Sequence, residues 1–85
     1  MARFYFDAEI KGALFQDEEG QDLRDHEAAR DEVVLTLSEM ARGLPGSGSD
    51  RDSLVILVRD ETGRPILSAS LSLEVEWKDG AGPQR

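Results

Sequence analysis

A chain of 85 residues with 18 acidic and 10 basic side chains, no cysteine and a net charge of -8 has room for one small domain. A disulfide scaffold and a thiolate metal site are excluded. Binding to phosphate backbones or anionic lipid is disfavoured, because the surface charge has the same sign. The imbalance sits early: residues 1–26 carry seven acids against three bases, and residues 51–85 carry six against five. A domain this small buries only about 60% of the surface its unfolded chain exposes. Stability must come from efficient burial within the chain, or from burial against a second copy or a partner.

Phe4, Phe6, Ala8 and Ile10 alternate with Arg3, Tyr5, Asp7, Glu9 and Lys11. Period two predicts a strand with one buried face. Phe4 and Phe6 belong to the core rather than to a base-stacking platform, given the acidic chain. Gly12 turns the chain, and Ala13–Phe15 forms a short return strand. Asp17-Glu18-Glu19-Gly20 is a second turn, with a glycine able to adopt positive φ. Its acids, with Asp22 and Asp25, lack the loop spacing of a calcium site, so they read as a solvated turn.

Residues 26–42 predict a helix. Asp25 is its N-cap, and Glu27 complements the positive end of the helix dipole. Ala29, Val33, Leu37, Met40, Ala41 and Leu44 form one apolar stripe. Arg42-Gly43 supplies a basic last turn and a C′ glycine, and Pro45 stops the helix. Leu35 lies off this stripe, either as a singly exposed leucine or as part of a partner-facing patch. His26, the only histidine, reads as a surface residue of the first helical turn rather than a general base. Residues 45–52, PGSGSDRD, read as a flexible loop. Their glycines, with Gly43, are not a phosphate loop, since no Gly-Lys-Ser/Thr follows.

Residues 53–59, SLVILVR, are apolar on both faces, which puts Val55 and Leu57 on the side away from the first core face. Asp60-Glu61-Thr62-Gly63 is a turn. Leu67, Ala69, Leu71, Leu73, Val75 and Trp77 then alternate with serines and with Glu74 and Glu76, predicting a long last strand. The two glutamates read as edge protection rather than an acid–base pair. The expected fold is α+β, ordered β-β-α-β-β. A four-stranded antiparallel sheet would carry one amphipathic helix on one face. Residues 1–78 form the single domain, and 79–85 a disordered tail.

The opening RFYFD strand, the DEEGQDL turn, the Ala28-Ala29 pair and the second turn at Asp60-Glu61-Thr62-Gly63 occur in that order over residues 2–73. Together they resemble a family of small uncharacterised bacterial proteins of the domain-of-unknown-function class, found in rhizobia and related alphaproteobacteria. Asp7 departs from relatives whose first strand holds a histidine, and the last strand runs longer here. The resemblance implies the fold outline and a cytoplasmic bacterial origin. It implies no activity.

Asp7 and Glu9 stand where a signal peptide needs an apolar run, and the apolar run Leu54–Val58 is far too short for a membrane span. Cytoplasmic localisation is therefore expected, with no cofactor, metal, nucleic acid or membrane partner. The expected function is a noncatalytic protein-interaction or structural module acting as a homodimer. Tyr5, Leu35, Val55, Leu57 and Trp77 are its candidate interface residues. The alternatives are a regulatory adaptor or antitoxin-like partner of a basic protein, and a small enzyme using His26.

Overall fold

A computed structural model describes residues 1–80, with the backbone alone at 46 and 47. The expected tail lies outside the described residues from position 81 onward. In chain order, β1 (Ala2–Ile10), β2 (Ala13–Phe15) and β3 (Gln21–Leu23) precede α1 (His26–Ala41). A 3-10 turn at Leu44–Ser47 leads to β4 (Arg51–Asp60) and β5 (Pro65–Glu74). The sheet order is β2-β1-β4-β5, with β3 also on β1. Every pairing is antiparallel. This is the expected α+β plan with one additional short strand. β2 lies opposite residues 8–10 of β1 and β3 opposite residues 2–4, so the two divide a single edge between them.

The alternation in β1 sends its even residues to the helix side. Phe4 is fully buried there, while Ala2, Phe6, Ala8 and Ile10 pack around the core. Leu54, Ile56 and Val58 of β4 continue that face, in register with Ile10, Ala8 and Phe6. Leu67, Ala69 and Leu71 of β5 complete it. From α1 come Ala29, Val33 and Leu37, at the four-residue spacing that puts side chains on one stripe. The helix lies over β4 and β5 and reaches β3. Asp25 caps it as the sequence predicts, with extended backbone and its carboxylate accepting from the Ala28 N–H at 2.8 Å.

The end of α1 differs from expectation. Gly43 has φ -80 and Arg42 is the C-cap, so the last turn holds no basic residue and Gly43 is no left-handed stop. Pro45 sits in the first turn of the 3-10 segment, where its missing N–H costs nothing. Arg51 and Asp52, read as loop from their polarity, are the first residues of β4, opposite Glu74 and Leu73. Pairing, not composition, makes them strand. The last strand ends at Glu74. Beyond it the Val75 N–H still reaches Asp50 O, at 2.7 Å. Val58 pairs with Leu67 and Arg59 with Pro65, so Ile66 is an extra residue that bulges β5 near its start.

No helix among the described residues is long and apolar enough to cross a membrane.

Candidate interaction surface

The two edges of the sheet are built differently. On the β1 edge, six of the nine residues are covered by the three-residue strands β2 and β3. The gap between them is closed by a side chain. Asp17 accepts from the Phe6 N–H at 3.1 Å, taking the place of a neighbouring strand. The same carboxylate accepts from the N–H groups of Glu19 and Gly20, both at 3.1 Å, and so shapes its own turn. Gly20 has φ +74 and leaves no room for a side chain against Phe4 O and Tyr5.

Asp7 completes this clasp from the sheet side. It is 7% exposed although it lies on the face away from α1. The Asp17 N–H donates to it at 2.9 Å, and Arg59 Nε donates at 2.8 Å. Arg59 also donates to Asp17 O at 2.9 Å and lies over the Tyr5 ring, 4.6 Å from its centroid. Arg3 donates to Glu19 O and to Asp22, which ties β3 to the same cluster. The second Asp-x-x-Gly turn repeats the device in simpler form. Asp60 accepts from the N–H groups of Thr62 and Arg64 and from the Thr62 hydroxyl, and Gly63 is left-handed at φ +89.

These contacts set two acidities. Burial opposes ionisation of Asp17, yet the N–H groups of Phe6, Gly20 and Glu19 and the charge of Arg59 outweigh it and hold the carboxyl below its ordinary 3.8. The Thr62 hydroxyl, with main-chain donors, holds Asp60 low in the same way. A carboxyl depressed in the folded state stabilises the fold above its unfolded value. That contribution is lost as pH falls through the lower folded value. Stability should therefore drop below about pH 3.8, and Asp17→Asn should flatten that drop. Urea midpoints at pH 6 and pH 3 measure it, and an unchanged difference between the two variants would contradict the role given to Asp17.

The β5 edge has no such cover. No strand among the described residues pairs with it. Its guards are confined to the ends: Pro65 and the bulge at one, Glu74 at the other. The eight residues between, Ile66 to Leu73, carry no charge. Which main-chain groups face outward follows from strand alternation. The Phe6 N–H points outward to Asp17, so the odd residues of β1 bond to β4, and the even residues of β4 bond to β5. The Val75 N–H, directed to Asp50, confirms that odd residues face β4 at this end. Ser68, Ser70 and Ser72 therefore turn their N–H and C=O groups to the outer edge, where no strand among the described residues pairs with them.

The five residues expected at an interface do not form one surface. Tyr5, Val55 and Leu57 share the sheet face away from α1, where Tyr5 is half-buried beneath Arg59 and Leu57 is 36% exposed. Leu35 is exposed on the outer side of α1. Trp77 lies beyond β5, half exposed, with its indole N–H donating to Asp50 at 2.8 Å. His26 is exposed at the start of α1, its ring edge-on to Phe4 at 5.7 Å. Among the described residues no group of three or more His, Asp or Glu side chains gathers as metal ligands. The sequence reading missed the exposure of Leu14, Phe15 and Val34. For Val34 a signal existed: it stands one residue past Val33, off the buried stripe.

The family model described as Domain of unknown function (DUF6894) matches residues 3–72. No curated protein and no solved structure matches the chain.

Proposed function

We propose that this chain, which belongs to the family of that domain of unknown function, is a noncatalytic interaction module that works as a homodimer. The open β5 edge carries the proposal. A strand of ten residues, uncharged along its middle, is a template for another strand unless it is blunted or used. The opposite edge of the same sheet is closed with care by β2, β3 and Asp17. A chain that blocks one edge and leaves the other free is built for pairing at the free one. The same proposal places the protein in the alphaproteobacterial branch of its family and in the cytoplasm, where a chain without cysteine loses nothing.

Light scattering on the full chain at tens of micromolar should return about twice the 9.4 kDa chain mass. Ser70→Pro removes one outward N–H and leaves the ladder to β4 intact. It should give the monomer mass with an unchanged circular dichroism spectrum. A parent chain that is monomeric at that concentration would overturn the proposal.

A further inference from the structure

We infer that two copies join through β5 about a two-fold axis at Ala69, making one continuous sheet with the two α1 helices packed against each other at Val34. The inference rests on the homodimer proposed above and specifies its geometry.

The register follows from the faces. A two-fold axis perpendicular to the sheet keeps each residue on its own face, so residues opposite each other must share a face. Centring on Ala69 puts Leu67 opposite Leu71 of the other copy and Ser68 opposite Ser70. The outward N–H and C=O groups of Ser68 and Ser70 are then satisfied reciprocally. The ladder occupies the regular stretch between the Ile66 bulge and Glu74. At its ends Glu74 of each copy comes beside the turn of the other copy that carries Arg64. Opposite charges therefore meet at both ends.

The helix layer fits the same axis. Each α1 lies over its own β4 and β5, so the two helices stand about two strand spacings apart, ~10 Å, which is the ordinary distance for packed helices. The flank of α1 turned toward β5 is identified by its neighbours. Ala41 lines a cavity with Leu73 and Val75, whereas Met40 lines one with Ile10 and Leu54. Val34, seven residues before Ala41, is on that β5 flank and is 47% exposed. α1 begins beside Phe4, which lies opposite Asp60 near the start of β5, and ends beside Leu73, so Val34, at the middle of the helix, falls near the middle of β5, where Ala69 is. An exposed valine thus sits on the axis, where it meets its own copy. Leu35, of similar exposure, points away from it.

Because the natural chain has no cysteine, single-cysteine variants read the register directly. Ala69→Cys should cross-link under mild oxidation into a covalent dimer holding most of the chain, since opposed residues at a two-fold lie within disulfide reach. Ser72→Cys should stay largely uncrosslinked, because residues 72 are far apart in this register. Val34→Glu should raise the dimer dissociation constant at least about tenfold, and Leu35→Glu should leave it within about twofold. Cross-linking of Ser72→Cys as fast as Ala69→Cys overturns the register. A dimeric parent in which neither variant cross-links and Val34→Glu has no effect overturns β5 as the contact while self-association stands. A monomeric parent removes the underlying homodimer itself.

Discussion

Phe4→Ala should cost about 3–5 kcal/mol of stability and leave a large part of the protein unfolded at room temperature. Phe4 is 1% exposed and is the largest fully buried side chain. It sits where β1 is paired on both sides, opposite Gln21 of β3 and Asp60 of β4, and its ring is edge-on to His26. The cavity left by alanine is bounded by strands on two sides and by the start of α1, so it can collapse only in part. A chain of this length has total stability on the order of 4–13 kcal/mol, and a thin core favours the lower end. Leu35→Ala is the matched control. That side chain is 54% exposed, and its loss should stay within about 0.5 kcal/mol. Urea unfolding followed by circular dichroism measures both. A Phe4→Ala variant within about 1 kcal/mol of the parent would contradict the assigned core.

Gly20→Ala should be the second most damaging change, at about 2–4 kcal/mol. The position combines two demands. Its φ of +74 disfavours any L side chain, and a Cβ would stand 2.9 Å from Tyr5 Cε2 and 3.0 Å from Phe4 O. The second contact is to main chain, which cannot swing aside. Gly63 separates the two effects. It is equally left-handed at φ +89 but has open space around it. Gly63→Ala should therefore show the backbone cost alone, about 1 kcal/mol. Equal losses at the two positions would mean that the clasp does not crowd Gly20.

The two glycines also mark how far the sequence reading reached. Both Asp-x-x-Gly segments were legible as turns, because aspartate and glycine have local reasons to be there. That one of them doubles as a missing piece of strand was not legible, since the partner of Asp17 is an N–H eleven residues earlier. The burial of Asp7 escaped for the same reason. Alternation placed it correctly on the polar side of β1, but its cover comes from the 16–20 loop and from Arg59, 52 residues away. The long periodic segments β1, α1 and β5 were legible because each repeats its pattern over two or more turns or several residue pairs. β3 was not: three residues carry no period, and Gln21–Leu23 is strand only because β1 offers it an edge. Arg51 and Asp52 were hidden by their polarity in the same way. For the surface, Leu35 stands opposite the buried stripe and Val34 one residue past it, so both are legible as off the stripe; which strand the Val34 flank faces is set by the packing of α1 on the sheet and is not.

The Asp17 clasp has a consequence for how many copies can assemble. A sheet with two usable edges adds subunits without end and forms fibres. Here a carboxylate occupies the middle of one edge, and what remains on either side of it is a three-residue strand. In the dimer proposed above, growth would then be possible in one direction only, and the first addition would also be the last. There a single acidic side chain would help to make the assembly self-limiting, and the same carboxylate that holds the turn together would close the edge.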